Sequence, residues 1–165
     1  MANDVRLRPM TEADLGAVNA IYNHYVVHST CTYQLELETD AARAAWFHDH
    51  GAAHPLLVAE DGGRVVGWAS LSPFHSRGGY ARTVEDSVYV DHQCHRRGIG
   101  GALLAELIAR GRALGHHLII AGIDAAQVGS VALHARFGFT EAGRLREAGY
   151  KFHRWLDVLY MQLLI

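Results

Sequence analysis

The segment Thr83-Val84-Glu85-Asp86-Ser87-Val88-Tyr89-Val90 is followed by a turn over residues 91–97 and then by Gly98-Ile99-Gly100-Gly101. β-Branched and aromatic residues in the first part predict a strand. Apolar residues at helical spacing predict a helix over 102–114, with Gly115 as its C-terminal stop. A strand, a glycine-rich turn and a helix N-terminus form an anion site, because the first N–H groups of a helix lack partners and glycine allows close approach.

Two cations, Arg96 and Arg97, lie directly before the glycines and are suited to a pyrophosphate. The spacing excludes the NAD and ATP motifs. Leu103 stands where the Rossmann pattern G-x-G-x-x-G needs a glycine, and no Gly-Lys-Ser/Thr of a P-loop is present. The segment therefore predicts a phosphate site of another kind, and the alternative is a glycine-rich turn that only packs against the sheet.

The rest of the chain carries the signals of a mixed α/β domain. The predicted elements around the segment are a strand at 5–8, a helix opened by a capping box at 11–14, a helix from Thr39 or Asp40, a hairpin of 56–60 and 65–71, a strand at 118–123 buried on both faces, a short helix after Ser130, and two strands around 143–145 and 155–164. This order predicts one α/β domain over residues 1–165, with a mixed sheet flanked by helices.

Composition excludes several classes of protein. Lys plus Arg number 15 and Asp plus Glu 17, a formal net charge of −2, so we expect no binding of nucleic acid or of a membrane by bulk charge. No apolar run approaches the ~18 residues of a membrane span. The two cysteines, Cys31 and Cys94, are too few for a disulfide framework and favour the cytoplasm. The 12 histidines complete no metal-ligand set, so we expect no metal.

Four segments carry a resemblance to a known family: the Thr83–Val90 strand, Ala121-Gly122-Ile123-Asp124, Leu133-His134-Ala135-Arg136-Phe137-Gly138-Phe139, and Lys151-Phe152-His153-Arg154-Trp155-Leu156-Asp157-Val158. Together with the glycine-rich turn they resemble the GNAT superfamily of N-acetyltransferases and, within it, the phosphinothricin and methionine sulfone/sulfoximine acetyltransferases. The similarity covers nearly the whole chain, including Ile21-Tyr22-Asn23-His24. It implies a GNAT-like fold with a mostly antiparallel sheet.

The resemblance implies direct acetyl transfer from acetyl-CoA to a primary amine in a ternary complex. The backbone of three residues would bind the pantetheine arm and polarise the thioester carbonyl, because a splayed strand leaves N–H groups free: Val88, Tyr89 and Val90. The residues implied to hold the pyrophosphate are Arg96, Arg97, Gly98, Ile99, Gly100 and Gly101. Gln127 stands where the family has an Asn beside the CoA arm, and it keeps the amide on a longer side chain.

Two catalytic residues follow from the same resemblance. Glu85 would be the general base that deprotonates the substrate ammonium, directly or through water, since apolar surroundings can raise a carboxylate pKa towards that task. The alternative is an exposed strand carboxylate. His134 stands where many relatives have a Tyr that protonates the departing thiolate. It would do that or assist the base, and the alternative is a packing residue on a helix face.

The predicted substrate-binding residues lie in and after the loop that precedes the catalytic strand. Some relatives have a basic residue at the position of His75, and Arg77 and Arg82 are close to it in sequence. One of these three is expected to bind the carboxylate of an amino-acid-like substrate, and the alternative is a solvated loop charge. The rest of the predicted set is Ser76, Glu85, Asp86 and Ser87.

The leading hypothesis is therefore an acetyl-CoA-dependent N-acetyltransferase for small amino-acid-like amines such as phosphinothricin, methionine sulfone or methionine sulfoximine. One alternative is the same chemistry on a polyamine, an aminoglycoside or a protein N-terminus. Another is a non-catalytic acyl-CoA sensor, which would have no need of Glu85. We expect a homodimer, with Trp155 and Asp157 serving the fold or the interface.

Overall fold

The computed structural model describes residues 5–165, so the first four residues of the predicted domain lie outside it. The helices and strands of the described chain are β1 (Val5–Pro9), α1 (Leu15–His28), α2 (Asp40–Asp49), β2 (Leu56–Asp61), β3 (Arg64–Pro73), β4 (Thr83–Val90), α3 (Ile99–Ala113), β5 (Leu118–Asp124), α4 (Val128–Arg136), β6 (Thr140–Lys151) and β7 (Arg154–Leu164). This is the predicted order, and the α/β class is confirmed.

The strands form one seven-stranded sheet in the order β1-β2-β3-β4-β5-β7-β6. Neighbouring strands are antiparallel except β4 and β5, so the mostly antiparallel sheet is confirmed. One core packs α3 against one face of the sheet, and a second core packs α1 and α2 against the other face. No helix within residues 5–165 is long and apolar enough to cross a membrane.

The parallel neighbours β4 and β5 pair only at their beginnings. Their pairing ends at Glu85 and Ile120, although each strand continues for several residues beyond that point. The outer edges of the two strands stay paired beyond that point. Residues 84–90 of β4 pair with β3, and residues 118–124 of β5 pair with β7. The sheet therefore holds a wedge-shaped opening between two strands that are each fixed from outside.

Tight packing holds α3 against β3 and β4. A Cβ atom at Gly67 would lie 3.1 Å from the Tyr89 carbonyl oxygen and 3.2 Å from side-chain atoms of both Ile99 and Leu103. Gly98 precedes the helix with φ +80°, a conformation that favours glycine. This close approach fixes the N-terminus of α3 beside the wedge.

Three predicted details are wrong. The helix α3 begins at Ile99 rather than residue 102, because the left-handed Gly98 already provides the N-cap position. The helix α4 begins at Val128 rather than after Ser130, since the Gln127 carbonyl already accepts hydrogen bonds from the Ser130 and Val131 N–H groups. The strand β5 is buried on one face only, because its other face, with the exposed Gly122, borders the wedge.

The segment over residues 29–39, which joins α1 to α2, is tied by hydrogen bonds to the far half of the sheet. The buried Lys151 ammonium donates to the Thr32 carbonyl oxygen at 2.8 Å. The Tyr33 hydroxyl donates to the Asp157 carbonyl oxygen at 2.9 Å, and the Thr30 hydroxyl donates to the Asp124 carboxylate. These bonds keep the segment over the open part of the wedge.

We expect Gly149→Ala to displace this segment, because a methyl group at Gly149 would overlap the ring of Tyr33. The overlap should cost about 1–3 kcal/mol of unfolding free energy, as overpacking does, and should weaken any ligand bound in the wedge. Gly143→Ala is the matched control, since it lies on the same strand and a methyl there meets nothing within 4 Å. Urea denaturation of both variants tests this, and equal stabilities would contradict it.

Candidate active site

A cavity of about 290 Å³ occupies the wedge between β4 and β5 and reaches both faces of the sheet. Alternation along a strand places neighbouring side chains on opposite faces. The wall on the α4 side is formed by Asp86, Val88, Ser130 and His134. The wall on the side of the 29–39 segment includes Glu85, Ser87, Tyr89, Thr32, Tyr33 and Tyr160. Two ligands can therefore enter from opposite faces and meet between the strands.

Glu85 stands at the last paired position of β4, where the wedge opens. Its side chain faces Gly122 of β5, and a Cβ atom there would lie 3.0 Å from a Glu85 carboxylate oxygen. Burial raises the pKa of Glu85, and the neighbouring Asp86 carboxylate adds to the rise. This half-buried carboxylate is placed and tuned to accept a proton inside the cavity.

Asp86 and His134 form a buried pair on the opposite side of β4 from Glu85. The His134 Nε2 lies 2.9 Å from the Asp86 carboxylate, and the Nδ1 lies 2.8 Å from the Ser130 carbonyl oxygen. Burial lowers the His134 pKa, but the hydrogen bond and charge of Asp86 outweigh it, so the pKa is raised overall. Both ring nitrogens face acceptors, which favours the imidazolium.

The backbone of Val88, Tyr89 and Val90 lies along the part of β4 that is no longer paired with β5. The Val90 carbonyl oxygen is occupied, because it accepts a hydrogen bond from the Tyr25 hydroxyl. The Tyr25 oxygen lies 2.6 Å from Nε2 of His95. The strand edge is thus held in place at its far end by α1 and by the turn before α3.

The turn before α3 leads into a helical turn whose first N–H groups have no partner within the helix. Arg96 has φ +60° and Gly98 has φ +80°, so the chain turns sharply into the first helical turn. The Arg96 side chain is exposed, whereas Arg97 forms an ion pair with Asp61 at 2.6 Å. A Cβ atom at Gly100 would make only ordinary contacts, the nearest at 3.5 Å from Leu133.

Gln127 lines the cavity just before α4. Its amide nitrogen lies 3.1 Å from the Thr30 hydroxyl oxygen and 3.5 Å from the Ser29 hydroxyl oxygen. The amide therefore tethers the 29–39 segment as well as bordering the cavity.

The structure separates the predicted substrate-binding residues into two groups. Glu85, Asp86 and Ser87 line the cavity. The loop residues do not line it and are exposed on the surface before β4: His75, Ser76, Arg77 and Arg82. In this structure no cation of that loop faces the cavity, because the loop turns outward before β4 begins.

Several cavity residues were not predicted from the sequence. Tyr33, Thr32 and Cys31 come from the segment after α1, and Tyr160 comes from β7 opposite Gly122. Burial raises the pKa of the Cys31 thiol, which keeps it protonated. Within residues 5–165, no group of three His, Cys, Asp or Glu side chains is placed to hold a metal ion.

Comparisons with known proteins agree with this geometry. The profile of the acetyltransferase (GNAT) family matches residues 18–139. The L-methionine sulfoximine/L-methionine sulfone acetyltransferase of Pseudomonas aeruginosa is 41% identical over 95% of this chain and 92% of its own length. The phosphinothricin N-acetyltransferase of Streptomyces viridochromogenes is 39% identical over 96% of this chain and 86% of its own length.

A solved structure shows the same fold. The phosphinothricin acetyltransferase of Sinorhizobium meliloti, solved in complex with acetyl-CoA, superposes with a TM-score of 0.95 at 37% identity, over 98% of this chain and 88% of that one. The resemblance predicted from the sequence is confirmed: the chain belongs to the acetyltransferase (GNAT) family.

Proposed function

We propose that this protein transfers the acetyl group of acetyl-CoA directly to the primary amine of a small amino-acid-like substrate of the phosphinothricin, methionine sulfone or methionine sulfoximine type. The observation that carries the proposal is the cavity through the sheet, with Glu85 on one side and Asp86, Val88 and the α4 residues Ser130 and His134 on the other. The two relatives described above, which are 41% and 39% identical to this chain, are named as acetyltransferases of such substrates. Direct transfer follows because both substrates reach one opening.

Glu85 is the general base in this proposal. An ammonium group has no lone pair until it loses a proton, and a carboxylate whose pKa is raised by burial accepts that proton more readily near neutral pH. The amine then attacks the thioester carbon in the wedge, and the β4 N–H groups that point away from β3, those of Val88 and Val90, polarise the thioester carbonyl. As the C–N bond forms, the C–S bond breaks and CoA leaves as a thiolate, which takes up a proton from solvent while the attacking nitrogen loses its second proton.

His134 assists the base rather than donating a proton to the thiolate. Both of its ring nitrogens already face acceptors, so neither N–H points to the leaving group. Its positive charge offsets that of Asp86 and so limits the rise in the pKa of Glu85, which keeps Glu85 ionised and able to accept a proton. His134 is therefore a positioning and charge-balancing residue for the pair of carboxylates on β4.

Glu85→Gln should lower kcat by roughly 10²-fold, since removal of a general base has effects of that order. The wild-type kcat/KM should fall as the pH drops through the raised pKa of Glu85, and the variant should lack this acid limb. Its deficit should shrink at high pH, where free amine is abundant. An assay of CoA thiol release between about pH 5 and about pH 10 measures the pH dependence of both enzymes.

Glu141→Gln serves as the control, because Glu141 is an exposed carboxylate on β6 away from the cavity. Its profile should match the wild type. A Glu85→Gln enzyme with a near-normal rate at neutral pH would make Glu85 structural. If the protein binds acetyl-CoA but acetylates no amine, the acyl-CoA sensor is the better reading. If polyamines, aminoglycosides or peptide N-termini are acetylated faster than any amino acid, the acceptor class is wrong.

The proposed pyrophosphate site is the N-terminus of α3, with Arg96, Gly98, Ile99, Gly100 and Gly101, and with Arg97 holding the turn through Asp61. Helix N-terminal N–H groups and the helix dipole favour an anion there. A side chain at Gly98 would project into open space outside the helix. That space is where the diphosphate would lie.

Gly98→Asp and Gly98→Asn are a matched pair, because both residues tolerate positive φ and they differ mainly in charge. Gly98→Asp should raise KM for acetyl-CoA about tenfold more than Gly98→Asn, through repulsion of the diphosphate. Neither should affect the reaction of acetyl-pantetheine, which lacks the diphosphate. Equal effects of the two variants on acetyl-CoA would remove the site assignment.

The whole chain over 1–165 is proposed to act as one domain and to form a homodimer in the cytoplasm. The support for a dimer is an aromatic patch at the tip of the β6–β7 hairpin: Tyr150, Phe152 and Trp155 are 50%, 49% and 61% exposed. Phe152 and His153 hold positive φ values there, which keeps the tip projecting. Exposed aromatic clusters of this kind are typical of protein interfaces.

The two cysteines are free thiols, which suits a reducing compartment.

The double variant Phe152→Ser/Trp155→Ser should convert a dimer to a monomer, because it removes two of the three exposed rings of the patch. Light scattering after size-exclusion chromatography measures the mass. Leu114→Ser, at an exposed apolar residue elsewhere, should remain dimeric. A wild-type protein of monomer mass at micromolar concentration would contradict the dimer.

A further inference from the structure

A second cavity, of about 280 Å³, adjoins the wedge on the face covered by α1 and α2. We call it the Arg43 pocket; its walls include Arg43, Trp68, Ser70, Ser87 and Tyr89. Ser87 and Tyr89 also line the wedge cavity, so the two spaces meet along β4. A ligand whose amine faces Glu85 can therefore extend a second group towards the Arg43 pocket.

Two polar atoms on the wall of this pocket have no partner in the protein. The Trp68 Nε1 and the Ser70 Oγ are the buried side-chain nitrogen and oxygen atoms of residues 5–165 that make no hydrogen bond. The residues are 2% and 1% exposed. Leaving a buried donor unpaired is costly, and both of these atoms can donate to an acceptor oxygen.

Arg43 supplies a third set of donors. It is 3% exposed, and its guanidinium lies 4.8 Å from the ring centre of Tyr22 and 4.7 Å from that of Trp46. In the described chain its one hydrogen bond runs from Nε to the Asn19 side-chain oxygen at 3.3 Å. The two terminal nitrogens keep their N–H groups available, and Glu38, on the same wall, partly balances the charge.

We propose that the Arg43 pocket recognises an oxygen-bearing group of the acceptor substrate, through the Arg43 guanidinium, the Trp68 indole N–H and the Ser70 hydroxyl. The inference rests on the proposed acetyltransferase function. The shared chemistry is a set of acceptor oxygens, supplied either by the carboxylate or by the sulfone, sulfoximine or phosphinate group. Arg43 takes the role of the cation expected in the loop before β4.

The strand register supports this placement. Ser70 is paired with Ser87, and Ser72 is paired with Glu85, so all four side chains share one face of the sheet. Positions two apart along a strand are separated by about 7 Å, and paired positions by about 5 Å. The distance from the base to the pocket therefore matches the span of one small amino acid.

Ser70→Ala and Trp68→Phe test the proposal, because each removes an unpartnered donor; Ser70→Ala keeps the packing, whereas Trp68→Phe also leaves a small void. Neither should lower the free energy of unfolding through a lost hydrogen bond. With methionine sulfone, each should reduce kcat/KM about 3- to 10-fold, the scale of one hydrogen bond. Ser72→Ala is the control: its hydroxyl lies on the same face but is bonded to His50 at 2.9 Å, and it should affect all substrates alike.

Two analogues identify the group that is bound. Methionine lacks the sulfone oxygens, and methionine sulfone amide lacks the carboxylate. If the variants and the wild type have the same kcat/KM with methionine, the pocket holds the sulfone oxygens. If they have the same kcat/KM with the amide, the pocket holds the carboxylate. Either result supports the proposal. Variants that match the wild type, or that lose equally on all three compounds, overturn it.

A binding measurement distinguishes a failure of the pocket assignment from a failure of the proposed acetyltransferase function. Calorimetric titration of methionine sulfone into the protein saturated with CoA measures recognition without turnover. If the wild type acetylates none of these compounds but still binds the sulfone more weakly in Ser70→Ala, the pocket assignment survives and the proposed function fails. If turnover occurs and Ser70→Ala leaves both binding and selectivity unchanged, the pocket assignment fails and the function stands.

Discussion

The site depends on the point at which β4 and β5 stop pairing. Beyond Glu85 and Ile120 the two strands separate, while β3 and β7 hold their outer edges in full register. The opening is therefore a rigid feature of the sheet rather than a frayed end. Unpaired strand N–H groups that are fixed in this way can bind a carbonyl or amide without having to be ordered first.

The two faces of the sheet present different chemical groups to the opening between β4 and β5. The turn before α3 and the α4 side offer N–H groups and an exposed arginine, suited to a phosphorylated donor. The opposite face offers Glu85, tyrosine rings and the tethered 29–39 segment, suited to a small amine. If the ligands enter from different sides, as proposed above, a ternary complex with direct transfer needs no large movement of the protein.

The sequence predicted the parts of the site that depend on local signals. Glycine and strand patterns located β4, the turn and α3, and the family resemblance pointed to Glu85, which lines the cavity. It did not predict that Arg43 lies beside the cavity. Arg43 belongs to α2, which is far from β4 in the chain, and it contacts Trp68 only because α2 packs on the sheet. Nor did it predict that residues 75–82 turn outward, since arginine and histidine in a loop carry no signal of direction.

Within residues 5–165, the buried side-chain nitrogen and oxygen atoms without a partner belong to two residues of the Arg43 pocket. Buried polar groups elsewhere have partners: Asn19 bonds Asp40 and the Glu38 carbonyl, and Lys151 bonds Thr32. The Trp68 Nε1 and the Ser70 Oγ lack partners, and both residues line the Arg43 pocket. A fold selected only for stability would replace such groups with apolar ones of the same shape, because an unpaired buried donor costs about 1–3 kcal/mol. Their position in a pocket that adjoins the cavity of Glu85 is the physical reason to propose that they take part in substrate recognition.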